Sequence, residues 1–349
     1  MDTKRTTFSK TENMKRILSI LLTRYLSLVV PFPTCDYKKR CQDGDSEVQD
    51  LDRYQFGKKL LATLMDARRS TTKLQNLRFL YKVGNYVISP INDPIFIFGS
   101  PRSGTTFLGE IMNAVPSLCY YFEPQIIKYY SRLVYEGLVS FEEAKKFYRR
   151  VFKLLMIFAP RGGNRFVEKT PRNIFIASTL YKIFPKAKFI HIIRDGRDVV
   201  CSLLKKPWYV ERSKYSGKRE PGGYRYGPYP HFYIEKDRRD GYRKTTDVHR
   251  CIWIWKSHVA QGLKLRKELP QNTYYEIKYE SLVYNPKSVV KELLQFINEY
   301  NEDNYKEAMK VANLAFTTGI KRWQRELSEQ DLNIIYQESG LILSKYNYL

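Results

Sequence analysis

Two short segments of this 349-residue chain each follow an apolar run and combine the residue types that bind phosphate groups. The first, residues 99–106 (GSPRSGTT), carries two glycines, four hydroxyl side chains and one arginine. In a turn between a strand and a helix, successive backbone N–H groups converge beside the positive end of the helix dipole, which favours a bound anion. The segment therefore predicts a phosphate site with these contributors: Arg102, Ser103, Gly104, Thr105 and Thr106.

The spacing of this first segment is close to that of a P-loop. Gly99, Gly104 and Thr106 fit the pattern G-x-x-x-x-G-K-[ST], but Thr105 stands where the pattern has lysine. That lysine reaches the β and γ phosphates of ATP, so its absence argues against ordinary phosphoryl transfer. A P-loop nucleotide kinase, from another enzyme class, remains an alternative. A turn that only joins the strand to the helix, and binds nothing, is the other.

The second segment begins where the apolar run 189–193 ends. Residues 194–202 read RDGRDVVCS, so that Arg194 and Ser202 lie eight positions apart. An arginine at the carboxyl end of a strand and a serine one or two turns into the next helix can converge on one phosphate group.

Together the two segments resemble the 5′-phosphosulfate loop and the 3′-phosphate motif of sulfotransferases that use 3′-phosphoadenosine 5′-phosphosulfate (PAPS). Two motifs in this order and at this separation are far more specific than either alone. The resemblance implies PAPS as co-substrate and PAP as product. No metal is expected, because fixed cations and dipoles stabilise the charge. The resemblance extends to YESL at residues 279–282 and KRW at residues 321–323. It implies that four further residues bind the nucleotide: Tyr279, Lys321, Arg322 and Trp323.

Glu123 is the candidate general base. It follows three aromatic residues and precedes Pro124, and a partly desolvated carboxylate with a raised pKa suits removal of the acceptor's proton. The surrounding stretch resembles carbohydrate sulfotransferases and, more loosely, tyrosylprotein sulfotransferases, in which a glutamate near this position is implicated as base. A plain surface glutamate is the alternative.

Lys169, at the end of a predicted strand, is the second catalytic candidate, for stabilising charge on the sulfuryl group, and Arg102 is the third, for the departing oxygen. The sequence EKTP at 168–171 resembles the lysine-bearing motif of several sulfotransferase subfamilies. It departs from the small-molecule cytosolic enzymes, because Pro171 replaces their histidine, which argues against a histidine base. His191 reads as a core residue, and the other three histidines match no motif.

These residues need a scaffold that brings strand ends together. The pattern predicts an α/β protein, a P-loop-like three-layer fold with a central parallel sheet and flanking helices over residues 92–349, preceded by a helical N-terminal extension at 1–91. Strands are expected at 95–98, 165–168, 189–193 and 274–278. Helices are expected at 128–158, 172–184 (capped by Thr170), 246–269 and 328–346, and a long aromatic and basic loop at 205–244 is expected to bind the acceptor.

The N-terminal extension contains an amphipathic helical pattern at 13–32, which either packs on the catalytic body or lies on a membrane surface through residues 14–32. Arg24 disfavours a clean transmembrane helix. The expected location is cytoplasmic or peripheral to a membrane, or the Golgi lumen if this stretch is an anchor. Cys201 and Cys251 read as buried thiols, whereas Cys35 and Cys41 could pair in an oxidising compartment.

The composition favours anionic partners, because 60 Lys and Arg against 36 Asp and Glu give a formal charge of +24. A basic nucleic-acid-binding module is therefore the non-enzymatic alternative. The two paired motifs argue against it, and no nucleic-acid partner is expected. The acceptor is expected to carry a hydroxyl group. A carbohydrate is the favoured acceptor, and a peptide tyrosine, a lipid or a small molecule is less favoured. The oligomeric state stays open.

Overall fold

Five short strands form a parallel sheet at the centre of the computed structural model, which describes residues 53–68, 91, 93–157 and 163–349. In chain order they are β1 (Ile95–Phe98), β2 (Leu118–Phe122), β3 (Arg165–Lys169), β4 (Lys188–Ile193) and β5 (Tyr274–Lys278). Their order across the sheet is β2-β3-β1-β4-β5, and every neighbouring pair is parallel. The strands are apolar because helices cover both faces. This confirms the predicted fold class and the four predicted strands.

The helices lie on both sides of this sheet. The α-helices are α1 (Arg53–Arg68), α2 (Thr105–Ala114), α3 (Gln125–Tyr135), α4 (Phe141–Ile157), α5 (Ala177–Ile183), α6 (Gly196–Leu204), α7 (Arg239–Lys244), α8 (Asp247–Glu268), α9 (Tyr279–Tyr284), α10 (Pro286–Phe296), α11 (Glu302–Ala312), α12 (Trp323–Glu326) and α13 (Glu329–Lys345). Short 3-10 helices occur at Pro171–Ile176, Glu211–Ser213, Lys236–Arg238 and Thr317–Gly319.

The register of the strands places the predicted site residues at one edge. Phe122 pairs with Lys169, and Phe98 pairs with His191, so that Glu123 and the loop after β1 begin at the same level. Because carboxyl ends of parallel strands meet at one edge of a sheet, ligands bind there in open α/β folds. Arg194 and Tyr279 follow β4 and β5 directly and join this edge.

Apolar side chains fill the space between the sheet and each helical layer. One cluster packs Phe96 and Phe189 of the sheet under α1, α3 and α4, and a second packs Ile97 and Ile190 against α2, α10 and α11. A third cluster joins α8 and α13 to residues of the 205–244 segment. The scaffold beneath the strand ends is therefore well packed.

Several predicted helices differ from the structure. The region 128–158 is two helices, α3 and α4, with a break between Tyr135 and Phe141. The helix predicted at 172–184 begins as the 3-10 helix Pro171–Ile176 and becomes α5 only at Ala177. Pro171 occupies the first turn as expected, but Thr170 does not cap it, because its hydroxyl group donates to the buried Glu168 carboxylate.

The 205–244 segment is mostly irregular, as predicted, but it is packed: Tyr209, Tyr224, Phe232 and Tyr233 are buried. Cys201 and Cys251 are buried thiols in α6 and α8. Within the described residues, no helix has the length and apolarity to cross a membrane. The predicted helix at 13–32 and the Cys35 and Cys41 pair lie outside the described residues, and the domain boundary at residue 92 stays a prediction.

Candidate active site

The loop between β1 and α2 turns sharply at two residues with left-handed backbone. Arg102 has φ 74° and Gly104 has φ 92°. A Cβ on Gly104 would collide with the Tyr279 ring, so this position requires glycine for space as well as for conformation. The Ser103 hydroxyl is buried and has no hydrogen-bond partner among the described residues. The loop thus presents backbone and hydroxyl donors at the start of α2, the arrangement that binds phosphate.

The two sequence motifs meet in space. Arg102 Nε donates to Ser202 Oγ over 2.9 Å, and Arg194 Nη1 donates to the Arg102 carbonyl oxygen over 3.2 Å. Burial, Arg194 and Arg322 together lower the pKa of the Arg102 guanidinium. Three arginines crowded in this way repel one another, which an anionic ligand would relieve.

The C-terminal segment docks against the second motif through Asp198. Its carboxylate accepts hydrogen bonds from the backbone N–H groups of Lys321 and Trp323, over 2.9 and 3.1 Å. Arg194 Nη2 donates to the Gly319 carbonyl oxygen, and the Arg194 guanidinium lies 4.5 Å from the Tyr279 ring centre. The sequence-predicted residue Tyr279 thus lies beside Arg194, and Asp198 holds the segment with Lys321 and Trp323 against the second motif.

Several polar atoms at this end of the site stay unsatisfied. Arg194 Nε, Arg322 Nε and Trp323 Nε1 are buried without a hydrogen-bond partner among the described residues. Buried donors of this kind are costly unless a ligand or water completes them. The donor set, two guanidinium groups and an indole N–H, fits a phosphorylated nucleoside.

Glu123, Lys169 and Thr106 meet beside the first loop. Lys169 Nζ lies 2.5 Å from Glu123 Oε1 and 3.3 Å from Thr106 Oγ1. The ammonium also lies 3.7 Å from the Phe122 ring centre. A lysine from β3 therefore reaches the loop whose own sequence lacks the P-loop lysine. Lys128, in the first turn of α3, pairs with the other oxygen of Glu123.

The expected raised pKa of Glu123 is wrong. Burial alone would raise this pKa, but Lys128 and Lys169 outweigh burial and hold it below its ordinary value. Burial lowers the pKa of Lys169, against the opposing effect of Glu123. Sequence reasoning missed the second lysine, Lys128, which reaches Glu123 because α3 begins directly after Pro124.

Backbone strain is concentrated at these positions. Among the described residues, five non-glycine residues have positive φ, and three of them are predicted site residues: Arg102, Glu123 and Lys321. Such conformations cost about 1–3 kcal/mol each and persist where surrounding contacts enforce them. Backbone strain is thus found in the first loop, at Glu123 and in the C-terminal segment.

A cavity of about 350 Å³ opens beside Glu123 and continues toward the 205–244 segment. At one end it is lined by Arg102, Thr106 and Glu123. At the other end four buried residues that sequence reasoning did not assign line it: Arg172, Glu220, His231 and His258. No motif signals them, because they come from three separate stretches of the chain. From the region 128–158, which was predicted to be helical, Lys128 lines the cavity.

Over residues 53–68, 91, 93–157 and 163–349, no group of three or more His, Cys, Asp or Glu side chains is arranged to hold a metal ion.

Comparisons with known proteins agree with this geometry. A model of the sulfotransferase family matches residues 94–303, more than half of the chain. A protein-tyrosine sulfotransferase of Drosophila melanogaster is 23% identical over 217 residues, which are 58% of this chain and 38% of that protein. Omega-hydroxy-beta-dihydromenaquinone-9 sulfotransferase Stf3 of Mycobacterium bovis is 22% identical over 203 residues, 57% of this chain and 45% of that protein. This chain thus spans less than half the length of both relatives.

Among solved structures, sulfotransferase STF9 of Mycobacterium avium has a TM-score of 0.52 at 12% identity, covering 94% of this chain and 95% of that chain. At this level of identity the likeness concerns the fold.

Proposed function

This chain belongs to the sulfotransferase family, and from that premise we propose that it transfers the sulfuryl group of PAPS to an acceptor hydroxyl group, foremost that of a carbohydrate. One observation carries the proposal. Arg102 hydrogen-bonds Ser202, and Arg194 hydrogen-bonds the Arg102 backbone, so the two predicted phosphate segments form one site.

The residues present fit a nucleotide with phosphate groups at both ends. The backbone of residues 103–106 and the buried Ser103 hydroxyl would hold the 5′-phosphate, beside Arg102. Arg194 and Ser202 would hold the 3′-phosphate, and their neighbours Arg322 and Trp323 have unsatisfied N–H groups for the nucleoside. When bound, PAPS supplies a sulfuryl group whose S–O bond to the 5′-phosphate breaks as the acceptor oxygen bonds to sulfur.

The protein's own groups then divide the work of transfer. Glu123 is ionised at neutral pH and can accept the proton of the acceptor hydroxyl group. Lys169, between Thr106 and Glu123, offsets negative charge that develops on the sulfuryl oxygens, and Arg102 does so at the departing oxygen. Fixed cations in a partly buried site are effective because they need no rearrangement during the reaction.

A peptide tyrosine is the second candidate acceptor. The Drosophila relative is named a protein-tyrosine sulfotransferase, and Phe122, Trp208, Tyr209 and Tyr233 line the cavity beside Glu123. An aromatic lining suits a phenol ring as well as the apolar face of a sugar.

The test measures transfer of radiolabelled sulfate from PAPS to a panel of glycans, tyrosine peptides and hydroxylated lipids. We expect label on at least one acceptor class, foremost glycans, and transfer that is about 10²–10⁴-fold slower in Glu123→Gln. In parallel, labelled ATP with Mg²⁺ tests phosphoryl transfer. Phosphoryl transfer from ATP with no sulfuryl transfer from PAPS would contradict the proposal and favour the kinase alternative.

A further inference from the structure

Arg197 is a buried charged residue of the second motif to which the proposed mechanism assigns no role. It lies between Arg194 and Ser202, in the first turn of α6, and is 6% exposed. Its guanidinium group forms a two-pronged ion pair with Asp195, whose carboxylate accepts from Nε over 3.0 Å and from Nη2 over 2.7 Å. Asp195 also accepts from the backbone N–H group of Arg197 over 2.9 Å. These contacts fix the orientation of the flat guanidinium group.

The guanidinium group of Arg197 also contacts Trp323. Its central carbon lies over the Trp323 ring, 3.9 Å from the ring centre, where a cation and an aromatic ring attract each other. The next residue of α6, Asp198, accepts a hydrogen bond from the backbone N–H group of Trp323 over 3.1 Å. The start of α6 therefore holds Trp323 at two points, its backbone and its ring.

Further contacts keep Arg197 from turning away from this ring. Its Nη2 also donates to the Tyr348 carbonyl oxygen, and its Nη1 donates to the Tyr336 hydroxyl group over 3.4 Å. The Tyr348 hydroxyl group donates to Glu280 over 2.9 Å, and the other carboxylate oxygen of Glu280 accepts from the backbone N–H group of Asp195 over 3.0 Å. Each of the three side-chain nitrogens of Arg197 thus has an acceptor, so this arginine is not available to bind a phosphate group.

We propose that Arg197 is a positioning residue of the nucleotide site, which acts on PAP through the Trp323 ring. The inference rests on the proposed function, in which Trp323 contacts the nucleoside of PAP. Trp323 is partly exposed, so its ring has surface left for an adenine base beside the part that Arg197 covers. Aromatic rings stack on bases, and a ring that is already held in position loses less conformational freedom when the base binds. Arg197 therefore strengthens binding of the base without touching the nucleotide.

The test compares two ligands by calorimetry on the full chain. One is PAP, and the other is methyl ribofuranoside 3,5-bisphosphate, which has both phosphate groups but no adenine. Arg197→Lys keeps a positive charge beside Asp195 but removes the flat guanidinium group from the Trp323 ring. We expect PAP to bind about five- to tenfold more weakly to this variant, and the base-free ligand to bind within about twofold of its wild-type affinity.

Two further variants test whether Arg197 acts through the ring. Trp323→Ala should weaken PAP binding by at least about tenfold. The double variant should bind PAP as Trp323→Ala does, within about twofold, because the ring through which Arg197 acts is gone. Arg238→Lys is the matched control, because the Arg238 guanidinium group also lies over a tryptophan ring, 3.6 Å from the centre of Trp253, and pairs with Glu338. It should leave PAP affinity unchanged.

Each contrary result overturns the proposal. Equal losses of affinity for PAP and the base-free ligand in Arg197→Lys mean that this residue supports the phosphate sites or the whole fold. Additive losses in the double variant mean that Arg197 does not act through Trp323, and unchanged PAP affinity in either single variant removes its role. A wild-type chain that binds no PAP overturns the proposed function itself, so the two failures are seen separately.

Discussion

The two ends of the active site are built differently. The proposed nucleotide end is built mainly from two contiguous segments, 99–106 and 194–202, each directly after a strand. Tyr279 and residues 321–323 join it from farther along the chain. The acceptor end consists of side chains from separate places, among them Lys128, Arg172, Glu220 and His258. A phosphate group can be held by one local turn, whereas an acceptor must be surrounded by side chains that only the completed fold assembles.

This difference predicts that the two ends can be altered independently. Changes at the nucleotide end should alter PAP affinity, and changes at the acceptor end should alter transfer rate, acceptor preference or stability while PAP affinity is kept. A variant at one end that changed the property assigned to the other end would show that the two ends are not independent.

The largest effect is expected for Glu123→Gln. Loss of the base should lower the rate of sulfuryl transfer by about 10²–10⁴-fold, while calorimetry finds PAP affinity within about twofold of the wild type. Glu110→Gln, an exposed glutamate of α2, is the control and should keep full activity. Full activity in Glu123→Gln would remove this residue as the base, and a matching loss of PAP affinity would show that the two ends are not separate.

Glu220→Gln should lower the free energy of unfolding by about 3–5 kcal/mol, because it leaves the Arg172 charge buried without its partner. The double variant Arg172→Met, Glu220→Leu should recover much of this loss. Glu142 forms an exposed ion pair with Lys145. Glu142→Gln should therefore lower the free energy of unfolding by at most about 1 kcal/mol. Denaturant titration measures all three, and equal losses in Glu220→Gln and Glu142→Gln would contradict the account.

The Glu220 effect should also depend on pH with a definite sign. Despite burial, which acts in the opposite direction, Arg172 and Lys128 lower the pKa of Glu220 to about 2. A lowered carboxyl pKa stabilises the fold above the unfolded pKa of about 4.3, and this stabilisation is lost as the pH falls toward 2. The stability difference between wild type and Glu220→Gln should therefore be full at pH 6 and shrink below pH 4.

Arg194→Met should weaken PAP binding by about 30- to 1,000-fold, because a charged partner of the 3′-phosphate is lost. The affinity of the variant for adenosine 5′-phosphate, which lacks the 3′-phosphate, should fall much less. Arg238→Met removes another arginine that lies over an aromatic ring, that of Trp253, away from the site, and is the matched control. Equal losses for both nucleotides in Arg194→Met would place this arginine elsewhere than at the 3′-phosphate.

The smallest effect is expected for Lys128→Met. Removing one of the two ammonium groups beside Glu123 raises its pKa, so the acidic limb of the pH–rate profile should move upward by about one pH unit. Lys128→Arg keeps the charge and should restore the wild-type profile. PAP affinity should stay the same in both variants. A lower rate with an unmoved limb would mean that Lys128 only supports packing.

The parallel sheet and the meeting of Arg102 with Arg194 follow from sequence, because apolar runs predict strands and the carboxyl ends of parallel strands share an edge. The lowered pKa of Glu123 does not follow, since it depends on Lys169 from another strand and Lys128 from the next helix. The cavity histidines were equally hidden, because only folding brings residues 231 and 258 beside the 3-10 helix that carries Arg172.

The central claim is that one site holds both phosphate groups of a single nucleotide. Calorimetry with PAP, adenosine 5′-phosphate and adenosine 3′-phosphate on the wild-type chain tests it most directly. We predict that PAP binds at least about 100-fold more tightly than either monophosphate, because each lacks one set of charge-assisted hydrogen bonds. Equal affinities for the three nucleotides, or no heat of PAP binding, would contradict the claim.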